Sequence, residues 1–179
     1  MKNNDRIYLI GGAKGVGKST IIQNAIKNIY LPVVNTGNFF NLAEKTSPEN
    51  YKSIAKQNML SYLINNAPLI ADTHYAGFIN NIYEPKFERG LSELELYVLN
   101  KNVDLTCILI DMEPEILAER RKLDLVNERD QNLVSMCKEL DANRKYFISY
   151  CDQLAIEGTV IKNNELDESI KEFIKIISI

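Results

Sequence analysis

The 179-residue chain has the composition of a folded globular domain, with 45% apolar and 25% charged residues, which excludes a disordered or low-complexity protein. Its net charge of -3 provides no basic surface field, so we expect no general nucleic-acid binding. No apolar run approaches the ~20 residues that span a bilayer, and the first residues do not resemble a signal peptide, so we expect a cytoplasmic protein without membrane contact.

Short runs of β-branched residues alternate with helical patterns along the chain. This alternation predicts an α/β fold in which one parallel sheet of five strands carries helices on both faces. Because no repeat, low-complexity tract or linker interrupts the pattern, we predict a single domain over residues 1–179. The candidate strands are Ile7 to Ile10, Leu31 to Asn35, Leu69 to Asp72, Leu105 to Ile110 and Thr159 to Lys162.

A glycine-rich loop follows the first candidate strand in the stretch "IYLIGGAKGVGKST". Gly12, Gly17, Lys18 and Ser19 match the pattern GxxxxGK[ST] at every position. A strand enters the loop and an amphipathic helix leaves it, which is the context that a phosphate-binding loop, or P-loop, requires. The loop therefore predicts a P-loop NTPase fold and binding of a nucleoside triphosphate.

The residue types in this loop suit the chemistry of a bound triphosphate. Glycines allow the backbone to curl around the phosphates without a Cβ clash, and backbone N–H groups at the helix start face the anion. We expect the Lys18 ammonium to reach the β- and γ-phosphates and the Ser19 hydroxyl to complete a Mg²⁺ shell. The residues predicted to bind ATP are Gly12, Gly15, Val16, Gly17, Lys18, Ser19 and Thr20.

Lys14 adds a second positive charge within the loop and suggests an alternative class. Some P-loop ATPases carry a signature lysine in the pattern KGGxGK[ST], five residues before the loop lysine. Here the offset from Lys14 to Lys18 is four residues. The register differs, so the loop fits this class poorly.

The third candidate strand ends in Asp72, within "PLIADTH". A carboxylate at this point could hold Mg²⁺ through water, or could accept a proton from a hydroxyl substrate. Thr73 and His74 follow directly, and we expect them to face the acceptor substrate because ligands bind at the carboxyl ends of parallel strands. The alternative for His74 is a structural hydrogen bond.

Four arginines occur in or beside a predicted helix-loop-helix far from the P-loop in sequence; they are Arg120, Arg121, Arg129 and Arg144. Phosphoryl transfer needs such groups because charge spreads over several oxygens in the transition state. The alternative is a solvated face with salt bridges such as Arg129 to Asp130. Arg144 differs from the others because it shares an apolar helix face, where a guanidinium needs an anionic partner. The alternative to a ligand is an internal salt bridge or snorkelling of the guanidinium to solvent.

Taken in order, the segments resemble the archaeal-type adenylate kinases, within the P-loop nucleoside monophosphate kinase group. The resemblance covers nearly the whole chain. It rests on the P-loop, "VVNTGNFFNLA", "ADTH", "DMEPEILAERR", "ERD" and "NRKYFISY". It implies a monophosphate-binding segment at about residues 36–66 and a short lid at about residues 120–132. Family members of this kind use Mg·ATP and AMP, and the archaeal enzymes are often trimers.

The resemblance also assigns roles to single residues. Asn35, Thr36 and Gly37 would open the helix on the monophosphate side. The arginines at 120, 121 and 129 would belong to the lid that closes over the phosphates, with Arg144 reaching them from the helix behind. The implied catalytic set is Lys18, Asp72, Arg120, Arg129 and Arg144, with Ser19 and Asp72 at the metal and Arg121 at ATP.

Three positions depart from the family pattern. Lys14 stands where proline is usual, and Asn127 replaces an arginine of the lid. The segment "AEKTSPENYKSIAK" contains no arginine to grip the acceptor phosphate. Lys45 or Lys52 could neutralise that phosphate, but lysine cannot clamp it in a bidentate manner.

The sequence thus favours an ATP-dependent nucleotide kinase that transfers the γ-phosphoryl group to a nucleoside monophosphate, with AMP as the first choice. A P-loop ATPase of kinase-like fold, acting as a regulatory or assembly factor with a macromolecular partner, is the main alternative. Nucleotide binding without turnover and kinases for other small acceptors are further alternatives. The expected ligands are small-molecule nucleotides with ATP and Mg²⁺, and a homo-oligomer is possible.

Overall fold

The computed structural model describes residues 6–27, 29–79, 82–85, 93–124 and 130–178, with the backbone alone at 79, 85 and 93–96. The strands are β1 (Arg6–Gly11), β2 (Val33–Asn35), β3 (Leu69–Asp72), β4 (Ala76–Ile79), β5 (Ile82–Pro85), β6 (Asp104–Asp111) and β7 (Gly158–Lys162). The helices are α1 (Lys18–Ala25), α2 (Gly37–Thr46), α3 (Tyr51–Asn66), α4 (Glu93–Asn102), α5 (Pro114–Leu123), α6 (Leu133–Leu154) and α7 (Leu166–Ile177).

The main sheet has five parallel strands in the order β2-β3-β1-β6-β7. Its central strand, β1, pairs with β3 through Ile7 opposite Leu69 and with β6 through Ile7 opposite Leu105. All five predicted strands belong to this sheet, so the predicted architecture is confirmed, although β2 is shorter than predicted. The parallel arrangement brings the carboxyl ends of β1, β3 and β6 to one edge, where Gly11, Asp72 and Asp111 end their strands.

Two hydrophobic cores cover the two faces of the sheet, because successive side chains of a strand point to opposite faces. Ile7 and Leu9 pack into one core with residues of α3 and the carboxyl half of α6. Tyr8 and Ile10 pack into the other core with residues of α1, α7 and the amino half of α6. Both cores extend to the edge of the sheet that carries the P-loop, so buried side chains support this loop.

A hairpin of β4 and β5 was not predicted from the sequence. It begins at Ala76, two residues after His74, and pairs Phe78 with Tyr83 in antiparallel register. The Tyr83 hydroxyl donates to the Ser135 carbonyl at 3.4 Å, and the Tyr146 hydroxyl donates to the Tyr83 carbonyl at 3.3 Å. The hairpin thus docks on α6 beside the edge of the sheet where the P-loop lies.

The predicted segment at 36–66 contains α2 and α3, which follow β2 and pack against each other. Of the predicted lid at 120–132, the structure describes the end of α5 and the residues from Asp130 onward, and Asn127 and Arg129 lie outside the described residues. None of the helices described here is long and apolar enough to cross a membrane.

Candidate active site

The P-loop connects β1 to α1 through a tight glycine turn. Gly12, Gly15 and Gly17 have φ angles of 147°, 88° and 91°, which side chains other than glycine rarely adopt. A Cβ at Gly17 would also lie 2.4 Å from Nδ2 of Asn163. The sequence therefore needs glycine at position 17 for two reasons. The turn presents the N–H groups at the start of α1 to a ligand.

Lys18 begins α1 and is 7% exposed. Its ammonium donates to the carbonyl oxygen of Gly12 at 3.0 Å and to that of Ala13 at 3.4 Å. Both acceptors belong to the same loop. The positive charge is therefore held at the mouth of the loop, where a bound phosphate could replace the carbonyl oxygens as its partner.

His74 lies against the same loop. Its Nδ1 is 2.8 Å from the Gly12 carbonyl oxygen and 3.3 Å from the Lys18 ammonium. Because a carbonyl oxygen only accepts, the shorter contact assigns the proton to Nδ1 and leaves Nε2 of a neutral ring as an acceptor. The structural hydrogen bond that was the alternative for His74 is present, and the residue also lines the cleft between the P-loop and the strand ends.

One cleft of about 350 Å³ joins the P-loop to the ends of β2 and β3. Its lining residues are Lys14, Gly15, Gly17, Lys18, Ser19, Thr20, Asn35, Asp72, His74 and Asp124. Residues predicted from the P-loop and residues predicted from the strand ends thus meet around a common space. Two lysines and two carboxylates line it, so a highly charged phosphate chain needs further cations, from Mg²⁺ or from arginines.

Asp72 is the carboxylate that the sequence predicted at the end of the third strand. Burial raises its pKa, and the positive charge of Lys18 partly offsets that effect. A partly desolvated carboxylate gains from a nearby cation. Asp72 and the Ser19 hydroxyl both line the cleft, and oxygen ligands of this kind suit Mg²⁺. The residues present therefore fit the predicted metal.

The predicted acceptor-side residues divide into two groups. Asn35 lines the cleft, and its side-chain oxygen accepts from the Gly37 N–H at 2.9 Å, which caps the start of α2. Thr36 and Thr73 are each 6% exposed, and the Thr36 hydroxyl donates to the Thr73 hydroxyl at 3.0 Å. These two threonines fix the turn between β2 and α2, and their predicted contact with substrate stays a prediction.

Arg120 and Arg121 lie in the last turn of α5 and have different partners. Arg120 donates from Nη2 to the Asn163 carbonyl at 3.1 Å, and its Nη1 would lie 3.3 Å from a Cβ built on Gly17. Arg121 donates to the carbonyl oxygens of Lys14 and Asp130 and to Glu139. This placement differs from the predicted contact of Arg121 with ATP phosphates. Every nitrogen of the buried guanidinium donates to a protein acceptor, and through these hydrogen bonds Arg121 supports the P-loop.

Arg144 also differs from its predicted position. Its Nε donates to the buried carboxylate of Asp111 at 2.8 Å, and its Nη1 donates to Asp141 at 3.0 Å. The anionic partner that the sequence demanded is thus a protein carboxylate in this conformation. The catalytic role of Arg144 stays a prediction, as does that of Arg129, which lies outside the described residues.

Sequence reasoning gave no role to Asp124, Glu139 or Asn163. Asp124 lines the cleft, and its only sequence signal was its place in the lid pattern. The Asn163 amide donates from Nδ2 to the Val16 carbonyl at 2.6 Å, so the residue after β7 also supports the P-loop. Val16 itself is fully buried, and it contributes to the loop through this carbonyl.

The chain has relatives among curated proteins, although no protein-family model matches it. The adenylate kinase of Thermoplasma acidophilum is 27% identical over 186 residues, an alignment that covers 96% of this chain and 98% of the relative. The adenylate kinase of Thermoplasma volcanium is also 27% identical, with coverage of 94% and 98%. The resemblance found in the sequence is thereby confirmed over nearly the full length.

Solved structures, kinases among them, share the fold. The YorR protein of Bacillus subtilis aligns with a TM-score of 0.65 at 14% identity, covering 96% of this chain and 95% of that one. Shikimate kinase from Bacteroides thetaiotaomicron aligns with a TM-score of 0.56 at 11% identity, covering 98% and 99%. The chain therefore has a P-loop NTPase fold, and it is similar over nearly its full length to Thermoplasma proteins named adenylate kinase.

Proposed function

We propose that the chain is an ATP-dependent nucleotide kinase that transfers the γ-phosphoryl group of Mg·ATP to a nucleoside monophosphate, with AMP as the first candidate. The observation that carries the proposal is the cleft that joins the P-loop residues Lys18 and Ser19 to Asn35 and Asp72. A donor site and an acceptor site must share one space for direct transfer. The similarity to proteins named adenylate kinase supports the same reaction.

In this reaction an oxygen of the acceptor phosphate forms the new bond to Pγ, while the bond from Pγ to the bridging oxygen of ADP breaks. The acceptor oxygen is already anionic near neutral pH, so no strong general base is needed. Lys18 would exchange the Gly12 and Ala13 carbonyls for phosphate oxygens and stabilise the charge that develops. Mg²⁺ would neutralise the β- and γ-phosphates, and Asp72 and Ser19 would hold it.

The acceptor side would use lysine for charge neutralisation. Residues 36–66 contain Lys45, Lys52 and Lys56 but no arginine. Lys45 and Lys52 are exposed on α2 and α3, so either can move toward an acceptor phosphate when α2 and α3 approach the cleft. A lysine contact is a point charge, and it should select the monophosphate less strictly than a bidentate arginine does.

The test is a transfer assay with purified protein, Mg·ATP and, in separate reactions, AMP, CMP, UMP, GMP, dTMP or no acceptor. Chromatography would resolve the diphosphates. We expect ADP formed at the expense of AMP, and we expect Lys18→Ala to abolish it while the circular dichroism spectrum stays native. Free phosphate released equally in every reaction would contradict the kinase proposal and would support ATP hydrolysis instead.

A further inference from the structure

Glu139, on the amino half of α6, contacts the P-loop although it lies 125 residues away in sequence. Its Oε1 accepts from the Lys14 N–H at 2.8 Å. Its Oε2 accepts from Nη2 of Arg121 at 2.6 Å. The same Nη2 donates to the Lys14 carbonyl at 2.7 Å. Glu139 and Arg121 thus hold the N–H and the C=O of one loop residue at the same time.

This pair is largely shielded from water, which makes its hydrogen bonds effective. The side chains of Arg121 and Glu139 are 3% and 15% exposed. Hydrogen bonds with an ionised partner are stronger than neutral ones, and a shielded ion pair is screened less by salt than a surface pair is. A third contact, from Nη1 of Arg121 to the Asp130 carbonyl at 3.0 Å, fixes the guanidinium in its plane.

We propose that Glu139 and Arg121 form a loop clamp, defined by their contacts to Lys14, that holds the P-loop in its nucleotide-binding conformation. The inference deepens the proposed function, since a nucleoside triphosphate is the ligand that the loop would bind. Neither residue of the clamp lines the cleft. Both are positioning residues that act through the backbone of Lys14.

The loop needs such a clamp because its glycines allow the backbone to adopt many conformations. Gly15 and Gly17 flank the turn, and glycine loses more conformational freedom on ordering than other residues do. A loop that is already ordered spares that loss when the ligand binds. The clamp also fixes the backbone from which the Lys14 side chain enters the cleft, so it adds a correctly placed second cation to Lys18.

Two measurements test the clamp on the whole chain. The first is hydrogen exchange of the nucleotide-free protein, which needs no ligand. The second is titration calorimetry with Mg²⁺ and the non-hydrolysable analogue AMPPNP. For Glu139→Ala we expect exchange of the Lys14 to Ser19 amides to accelerate, and the Kd to rise about tenfold or more, as the loss of a charged hydrogen bond implies. The matched control is Glu119→Ala, which removes an exposed glutamate on α5.

A substitution pair separates the clamp from a general loss of stability. Glu139→Gln keeps the size of the side chain, but its amide has one acceptor oxygen and cannot serve both Lys14 and Arg121. Lys14→Pro removes the loop N–H that Glu139 accepts from. We therefore expect Glu139→Gln to raise the Kd by a larger factor in the otherwise wild-type chain than in the chain that also carries Lys14→Pro.

An unchanged Kd and unchanged exchange in folded Glu139→Ala would overturn the proposal. So would a Glu139→Gln effect of equal size with and without Lys14→Pro, because it would show that Glu139 acts without the Lys14 N–H. Failure of the proposed kinase function has a different signature. It would leave nucleotide binding and its dependence on Glu139 in place while AMP accepted no phosphate. If the wild-type chain bound no AMPPNP, exchange of the Lys14 to Ser19 amides would decide whether the clamp orders the loop.

Discussion

Nε of Arg144 donates to a carboxylate oxygen of Asp111 at 2.8 Å, and Lys162 approaches the same oxygen at 2.6 Å. The Asp111 side chain is 3% exposed, so its charge depends on these two cations and on a hydrogen bond from the Met112 backbone. We expect Arg144→Ala to lower the free energy of unfolding by about 1–2 kcal/mol, because Lys162 remains and Arg144 is partly solvated. Urea denaturation measures the loss.

The control for that prediction is Lys171→Ala, which breaks an exposed ion pair with Glu168 on α7 and should change stability little. The transfer assay then decides the catalytic role of Arg144. A variant that keeps its transfer rate while losing stability would assign Arg144 to the structure. A fall in rate far beyond the change in folded fraction would restore its predicted contact with the phosphates.

Asp111 also predicts a loss of stability in acid. Burial alone would raise its pKa, but hydrogen bonds from Arg144 and Lys162 outweigh burial and hold the pKa below its ordinary value. A carboxyl with a lowered folded pKa stabilises the fold above its unfolded pKa of about 3.9 and loses that contribution as the pH falls through the folded pKa. The difference in the free energy of unfolding between wild type and Asp111→Asn should therefore be present at pH 6 and should become smaller below pH 4. A gap that kept its full size at pH 2 would contradict the assignment.

The contribution of Asp72 to stability should depend on pH in the opposite direction. Burial raises its pKa, so its ionisation costs stability, and that cost appears as the pH rises from the ordinary carboxyl value through the folded pKa. We expect Asp72→Asn to be more stable than wild type at pH 7 and to lose phosphoryl transfer, because the amide cannot replace the carboxylate at Mg²⁺. Thermal unfolding at several pH values measures the first effect.

The control for Asp72 is Asp104→Asn, which removes an exposed carboxylate at the opposite end of the sheet. It should change neither stability nor transfer. If Asp72→Asn proved less stable than wild type at pH 7, the attraction between Asp72 and Lys18 would exceed the cost of burying the carboxylate.

The main sheet was predictable because its strands are short apolar runs rich in β-branched residues, as Leu105 to Ile110 illustrates, and the three central strands are also buried. The P-loop was predictable because its glycines and Lys18 follow a fixed spacing. The hairpin of β4 and β5 was missed because its flanks are short and two asparagines, rather than Asn-Gly, separate them. Glu139 was missed because nothing in the sequence distinguishes this glutamate from the other charged residues of the helix as the one that contacts a loop 125 residues away.

Arginine roles were the weakest part of the sequence interpretation. The sequence correctly required an anion near Arg144, but a phosphate and a protein carboxylate satisfy that requirement equally. The same ambiguity applies to Arg121, whose partners are Glu139 and two backbone carbonyls. Charge and spacing predict that a guanidinium will have a partner, but the tertiary contacts determine whether that partner is a ligand phosphate or a group of the protein.

Gly17 should tolerate no side chain. Its φ of 91° is strained for other residues, and a Cβ would lie 2.4 Å from Asn163 Nδ2, which itself donates to the Val16 carbonyl. We expect Gly17→Ala to lower the free energy of unfolding by about 1–3 kcal/mol. We also expect its affinity for AMPPNP to fall further than that of a variant that is equally destabilised at a site away from the P-loop.

The matched variant is Gly158→Ala at the start of β7, where a Cβ would meet Phe147 at 2.4 Å and Cys151 at 2.5 Å inside the core. Overpacking of this kind should cost a similar 1–3 kcal/mol, roughly, without touching the P-loop. Titration of both variants with AMPPNP under conditions where each is folded should therefore show weakened binding for Gly17→Ala alone. Equal affinities would mean that the P-loop adapts to the added methyl group, and that the Asn163 contact does not set its conformation.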